Sequence, residues 1–542
     1  MCGIFFITAR SGHFSEDEME SIHNAAQTLQ PRGPDKERIV QVNAGTLMIF
    51  YRLAINDLSP AGMQPFISDS SFLMCNGEIY NYEALRADHP QFDQRLLSRS
   101  DCEILPHLIE TYGWEATLAK LDAVYALLHH DSSSGITRFT RDRFGVKPLF
   151  WAQSAKWFIV ASEAKAIDML YPLDRDMRIL SIVPGTFGEF DAASFTVNIH
   201  MLASYSFKDA PPLPMQSYSD ASVHVVHRLE EAVRKRITSD REIGCLLSGG
   251  LDSSLVAALL SKELRKKGQS LHTFSVGFPD SVDLKYARIV ADHIQSTHHE
   301  LVLSYTDALE RIPDVIRAIE SYDTTTVRAS TPMFLLCEWI AREFPHRVIF
   351  SGEGSDELFG GYLYFHLAPN TDDAHQDRLR LLRQLWMYDV LRADRCTAAN
   401  GLEFREPFLD RDLVDDVLRL PREWLSPRDG CEKHLLRSGV DTELLPSCVL
   451  WRRKAAFSDA VSSGEKPWYQ YIQEYVEKQC VSKTHFVMEG QTSESRFYRS
   501  HFVDHFRGYR PMIPLWLPQW SAVGAEPSAT VLPVWNLQEH MC

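Results

Sequence analysis

The stretch Ile243-Gly244-Cys245-Leu246-Leu247-Ser248-Gly249-Gly250-Leu251-Asp252-Ser253-Ser254 decides the fold of the C-terminal half. Ile243 to Leu247 is a short apolar strand, SGGLDSS a loop, and Leu255 to Lys267 a helix. Arg265, Lys266 and Lys267 suit the negative end of that helix, and Gly268 suits its C′ position. Gly249 and Gly250 allow close backbone approach to a ligand and φ > 0. Ser248, Ser253 and Ser254 add hydroxyl donors, and the helix N-terminus adds free N–H groups and partial positive charge. The product is an anion cradle. It is not the Walker loop, which needs G-x-x-x-x-G-K-S/T. Asp252 in the place of a lysine implies a magnesium ion between protein and phosphates, because like charges would otherwise repel. A plain Gly-Ser helix cap is the bland alternative, disfavoured by the strand–loop–helix context.

Beyond this stretch, Leu271 to Val276, His299 to Leu303 and Arg347 to Phe350 read as further strands with helices between them. Val223, Val226, Leu229, Val233 and Ile237 mark one helical face. The βαβα alternation predicts a mainly parallel sheet covered on both sides. A second glycine-rich loop, Ser351-Gly352-Glu353-Gly354-Ser355-Asp356-Glu357, follows the strand at Arg347 to Phe350. Residues beyond strand C-termini converge on a ligand crevice, and three carboxylates there call for a metal or basic partner. A solvated acidic turn is the alternative. The last third reads as largely helical.

The N-terminal half has another rhythm. Ser15 and Glu18 form a capping box before a helix with Met19, Ile22, Ala26 and Leu29 on one side. Strands at Thr46 to Leu53, Ser71 to Cys75, Ala123 to His129 and Trp157 to Ala161 are separated by turns rich in Gly, Asp and Ser. A two-layer sheet structure flanked by helices fits. Pro211, Pro212 and Pro214 place a linker at 206–217. The expected division is therefore 1–205, the linker, a second domain at 218–520 and a loosely ordered tail at 521–542.

At 542 residues the chain exceeds one ordinary core. It is 45% apolar and 24% charged, and no apolar run is long enough to span a bilayer. A net charge of -16 argues against non-specific nucleic-acid binding. The ten cysteines form no C-x-x-C pair, and their scatter suits a reducing cytoplasm. Cys2, directly behind Met1, is different. With Met1 removed it would carry a thiol and a free α-amine together, nucleophile and general base in one residue. Taken alone, a cysteine at position 2 is more often simple packing.

The ordered set of motifs resembles the glutamine-hydrolysing asparagine synthetases along nearly the whole chain. It runs through MCGI, RGPD (Arg32 to Asp35), RLA, GMQP, NGEIYN (Asn76 to Asn81), SDCE and RDRFGVKPLF. It continues through SGGLDSS, YDTTTVRAS, FSGEGSDELFGGY, LRADR, EKHLLR, WRRKAAFSD and EPSA. The resemblance implies an α+β N-terminal-nucleophile glutaminase domain, an αββα sandwich, followed by an α/β Rossmann-like ATP-pyrophosphatase domain. It implies L-glutamine, L-aspartate and ATP as substrates, Mg²⁺ as cofactor and possible homodimers. β-Aspartyl-AMP would be the intermediate.

By that resemblance Cys2 attacks glutamine, with the Asn76 side chain and the Gly77 N–H as oxyanion donors. Arg52 suits the α-carboxylate of glutamine, Glu78 and Asp101 its ammonium, and Leu53, Ala54, Ile55 and Asn56 the adjoining wall. Leu247, Val276, Ser351 and Gly352 match adenosine-site positions, where free backbone groups would meet the purine edge. Lys454 would stabilise charge on the α-phosphate, and Glu353 would act in forming the intermediate and guiding ammonia. Arg328 is a candidate aspartate or phosphate ligand, and Asp252 and Asp356 are candidate magnesium ligands. Pro31, Asn56 and Ala455 depart from the family pattern. An apolar interdomain passage is expected for the ammonia. Amidotransfer to another carboxylate, a non-catalytic relative and an ammonia-only enzyme are the competing readings.

Overall fold

The computed structural model describes residues 1–202, 211–463, 466–479, 492–511, 514, 516–520, 526–528 and 532. Its N-terminal part is two stacked six-stranded antiparallel sheets. One has the order Arg178–Ser181, Phe150–Gln153, Trp157–Ala161, Gly3–Ala9, Thr46–Arg52, Lys36–Asn43. The other has the order Thr196–Met201, Thr186–Asp191, Ile136–Arg141, Ala123–Asp131, Ser71–Ile79, Phe66–Ser68.

Strand alternation explains the layering. Ile4 and Phe6 join Met74, Ala126, Leu128 and Phe139 in the core between the sheets. Phe5 and Ile7 point the other way, onto Ile22, Ala25 and Ala26 of the helix Glu16–Gln27. On the far side Cys75, Tyr125 and Leu127 meet Leu105, Leu108 and Leu118 of two short helices. The result is helix, sheet, sheet, helix, as expected. The capping box at Ser15 and Glu18 is present.

The strand expected at Ser71 to Cys75 extends to Ile79. Asn76 and Gly77 are poor strand formers, but pairing with Ala126 and Tyr125 overrides propensity. An added Cβ on Gly77 would lie 2.1 Å from the Val124 carbonyl oxygen, so only glycine fits against this neighbour.

The second part is a five-stranded parallel sheet of order Thr297–Val302, His272–Gly277, Ile243–Leu246, Val348–Phe350, Glu403–Arg405. Helices Tyr218–Lys235, Leu251–Lys266 and Val282–His293 pack on one face, and Ile312–Ile319, Thr324–Glu343 and Asp389–Ala398 on the other. Two local expectations are corrected, and one strand is added. The helix Tyr218–Lys235 buries Ala221, Val225, Leu229 and Val233, whereas Val223 is 59% exposed. The helix after the loop starts at Leu251, not Leu255, so Asp252, Ser253 and Ser254 form its first turn. The fifth strand, three residues with charged ends, has no legible sequence pattern and exists through its pairing with Val348–Phe350.

Of the expected linker, residues 206–210 lie outside the described ones, and 211–217 form neither helix nor strand. Of the expected loose tail at 521–542, only 526–528 and 532 are described. They are docked: Glu526 pairs with Arg328, Ser528 donates to Asp459, and Leu532 is buried.

Candidate active sites

Cys2 sits at the entrance to the strand Gly3–Ala9, half-buried. Its Sγ lies 3.6 Å from the Leu53 carbonyl, and its N–H donates to Asn76 Oδ1 at 2.8 Å. Arg32 Nε donates to the Cys2 carbonyl at 3.0 Å, fixing the residue from its other side. The Nδ2 of Asn76 is buried and has no partner among the described residues. An unsatisfied buried amide donor is costly, about 1–3 kcal/mol. It is the donor that an oxyanion beside Cys2 would need.

Burial raises the pKa of the Cys2 thiol. The neighbouring α-amine belongs to Met1, which is itself 1% exposed, and burial lowers that amine to about 6. Both shifts favour neutral forms: a protonated thiol and an amine free to accept a proton at neutral pH.

The glutamine-site candidates gather around this sulfur. Arg52 is buried, its guanidinium donating to the carbonyls of Ser59 (2.6 Å) and Asp57. Gly62 makes room for it, since a Cβ there would be 2.4 Å from Arg52 Nη2. Asn56 Nδ2 donates to Glu78 Oε2 at 2.6 Å and so orients that carboxylate. Asp101 accepts from the Ile79 N–H at 2.7 Å. Burial, then Glu403 and Asp101, lift Glu78 well above the usual carboxylate range against the opposing Arg405. Burial also raises Asp101. A cationic ligand between these two acids would relieve both penalties.

The second site lies where the parallel sheet changes direction. From Ile243–Leu246 the chain adds two strands on one side and then crosses to Val348–Phe350 on the other. Ligands bind beyond strand C-termini at such a switch point. Both glycine-rich loops emerge there and touch: a Cβ on Gly352 would lie 2.7 Å from the Ser253 nitrogen. A cavity of about 240 Å³ opens between them. Leu247, Ser248, Gly250, Asp252, Ser253, Val276, Ser351, Gly352, Glu353, Asp356, Arg328 and Lys454 all line it. Gly249 and Ser254 stand behind the wall. Gly249 takes φ +72° and packs against Tyr286 and Ala287, but Gly250 caps the helix at φ -75°, so only one of the pair needs the left-handed region.

The charges in this cavity are paired. Asp252 Oδ2 and Asp356 Oδ1 lie 2.6 and 2.5 Å from Lys433 Nζ, and Asp356 Oδ2 lies 2.6 Å from Lys454 Nζ. Burial opposes ionisation of Asp356, but Lys433 and then Lys454 hold it well below its usual range. Lys433 was not singled out from sequence. Its signal was the EKHLLR motif, and Gly361, whose Cβ would fall 1.9 Å from Lys433 Cε, makes room for it. Asp252 and Asp356, which share Lys433 as counter-charge, are the residues that would hold a magnesium ion, and it would supply positive charge toward ATP phosphates. The described residues contain no group of three or more metal-binding side chains, so an all-protein cage is not what this site offers.

Glu353 pairs with Arg392 at 2.7 Å, and burial lifts it to about 7 despite Arg392. Arg392 is the second functional candidate that sequence reading missed, although LRADR contains it. Two expectations are modified. The backbone of Leu247 is not free: its N–H donates to Phe274 and its carbonyl accepts from Ser275. Arg328 reaches the cavity with its guanidinium already committed to Glu494 and Glu526, both at 2.6 Å. A substrate carboxylate could replace only Glu526, which is 22% exposed, not Glu494 at 1%.

The two sites share one chain with known relatives. A glutamine amidotransferase domain model matches residues 1–183, and an asparagine synthase model matches 224–385 and 368–522. Asparagine synthetases (glutamine-hydrolyzing) of Bos taurus, Gallus gallus and Homo sapiens are each 38% identical, over 98% of this chain and 98% of theirs. The chain belongs to the glutamine-hydrolysing asparagine synthetase family. Among solved structures, a glutamine phosphoribosylpyrophosphate amidotransferase from B. subtilis has a TM-score of 0.32 at 16% identity, covering 55% of this chain and 81% of its own. That likeness is too slight to bear on the fold. Pro31, beside Arg32, occupies an early position of a 3-10 turn, where its missing N–H is harmless.

Proposed function

We propose that this protein makes L-asparagine from L-aspartate and ATP with ammonia released from L-glutamine. The observation that supports it most is the unpartnered Asn76 Nδ2 beside Cys2 in a chain whose other half carries the paired switch-point loops. After loss of Met1, the Cys2 amine takes the proton of its own thiol. The sulfur attacks the amide carbon, and the oxyanion is held by Asn76 Nδ2 and the Gly77 N–H. Arg52, Glu78 and Asp101 bind the glutamine backbone, walled by Leu53, Ala54, Ile55 and Asn56.

In the second site Ser248, Gly249, Gly250, Asp252, Ser253 and Ser254 hold pyrophosphate oxygens. Leu247, Val276, Ser351 and Gly352 hold the nucleoside. Mg²⁺, when bound, supplies the positive charge that lets ATP phosphates approach Asp252 and Asp356. Lys454 stabilises the α-phosphate, and Arg328 takes the aspartate carboxylate in exchange for Glu526. Glu353 accepts a proton as ammonia adds to the acyl carbon of β-aspartyl-AMP and the C–O bond to AMP breaks, leaving the amide. We assign 1–205 to the glutaminase, 218–520 to the synthetase, a cytoplasmic location and a homodimer. No helix among the described residues is long and apolar enough to cross a membrane.

The test is product analysis with the Cys2→Ala variant. It should lose glutamine-driven asparagine and keep ammonia-driven asparagine, with AMP and pyrophosphate as co-products. Release of ADP and phosphate by the wild type would refute the reading.

A further inference from the structure

Both carboxylate oxygens of Glu406 are buried and without a hydrogen-bond partner, and the residue is 0% exposed. No other carboxylate among the described residues is in this position. Leaving such a group unpaired costs several kcal/mol unless something else supplies donors.

Its place in the molecule is informative. Glu406 follows the edge strand Glu403–Arg405. On one side Arg405 Nη2 lies 3.2 Å from Glu78, and the Phe404 carbonyl lies 3.3 Å from Lys147 Nζ, which touches Met1. On the other side the strand pairs with Val348–Phe350, and the Ser351 N–H donates to the Arg405 carbonyl at 3.0 Å, two residues before Glu353. The strand therefore has contacts on the Cys2 side and on the synthetase-loop side. Leu53 beside Cys2, Leu247 at the nucleotide cavity, and Phe408 and Leu409 just beyond Glu406 belong to one buried apolar cluster.

The charged groups facing Glu406 are Lys147 and Asp142, Arg236 at the end of the helix Tyr218–Lys235, and Glu403. Tyr80, just beyond the strand Ser71–Ile79, also faces it. None forms an ion pair or hydrogen bond with it. Arg236 is bound to Asp410 at 2.7 Å, and Arg405 to Glu403 at 2.8 Å. A small ligand carrying N–H donors would satisfy this carboxylate in its buried position.

Ammonia has three N–H donors and one lone pair. We infer that Glu406 binds ammonia on its way from Cys2 to the acyl-adenylate, accepting its N–H groups while the lone pair stays free. This deepens the proposed function and rests on it. Burial lifts Glu406 to about 7, so the group is protonated on mild acidification. The acid O–H would then break as a fourth N–H forms, giving carboxylate and ammonium. Ammonium has no lone pair and cannot attack.

The experiment measures asparagine formed per glutamate released by Glu406→Gln and Glu406→Leu, beside synthesis from ammonium chloride. The yield per glutamate should fall at least threefold, and the loss should exceed any loss in ammonia-driven synthesis. In the wild type, yield normalised to ammonia-driven synthesis at the same pH should drop as pH falls through about 7. That drop should vanish in Glu406→Gln. An unchanged yield, equal losses with both donors, or an unaltered pH profile would each overturn the assignment. Equal losses would mark Glu406 as a structural residue. Failure of the wild type to make asparagine with either donor would instead refute the function on which this rests.

Discussion

Asn76 shows how one side chain can hold two tasks. Its Oδ1 positions the nitrogen of Cys2, which leaves Nδ2 aimed and unspent. Asn76→Ala should lower kcat for glutamine hydrolysis by about 10²–10³-fold, equivalent to about 2.7–4 kcal/mol. Its ammonia-driven synthesis, measured in the same preparation, should exceed its glutamine-driven synthesis. At the other site Glu353 must be ionised to accept a proton. Its folded pKa of about 7 lies above the ordinary 4.5. Ammonia-driven synthesis at fixed free ammonia should therefore rise with pH through about 7 and be lost below it. The same shift acts on stability with the opposite sign. The stabilising contribution is complete below 4.5 and is lost as pH rises through about 7, because the fold resists ionisation there.

At the scale of elements, contact between two loops matters more than either loop alone. Gly352 is required because the backbone of Asp252 and Ser253 passes where its Cβ would be. Gly352→Ala forces the loops apart and costs about 1–3 kcal/mol of packing. ATP affinity, read by calorimetry, should fall at least tenfold while glutamine hydrolysis is retained. Much of this was legible. SGGLDSS after an apolar strand gave the cradle, and SGEGSDE after another gave its partner. The pairing of Lys433 with both aspartates was not legible, because 77 positions separate Lys433 from Asp356 and only the sheet crossover joins them. Glu403–Arg405 was hidden for a similar reason: a three-residue edge strand has too little periodicity to read.

At the scale of the molecule, the domains meet through buried charge. Arg32, beside Cys2, is held by Glu163 at 2.7 Å and by Asp394 of the synthetase part at 3.0 Å. Arg405 reaches back to Glu78 from the opposite direction. Breaking a buried pair from one side leaves a charge uncompensated, at about 3–5 kcal/mol. Arg405→Met should lower the Tm of the chain and raise KM for glutamine, because Glu78 loses its counter-charge. Unchanged KM and Tm would show that this link is ornamental. Leu53 beside Cys2 and Leu247 at the nucleotide cavity belong to one buried apolar cluster, and Glu406 and Lys147 are buried charged residues close to it in sequence or space.

Sequence alone determined what depends on neighbours along the chain: the strand–loop–helix cradle, the capping box, the two hydrophobic rhythms and the cysteine behind Met1. Tertiary structure decided what depends on distant segments converging: which aspartates share a cation, which amide hydrogen stays free, and which carboxylate is left buried without a hydrogen-bond partner. The division follows from physics. Backbone propensity and periodic burial act over a few residues, whereas dielectric environment and charge pairing are properties of a place in space that the chain reaches only when folded.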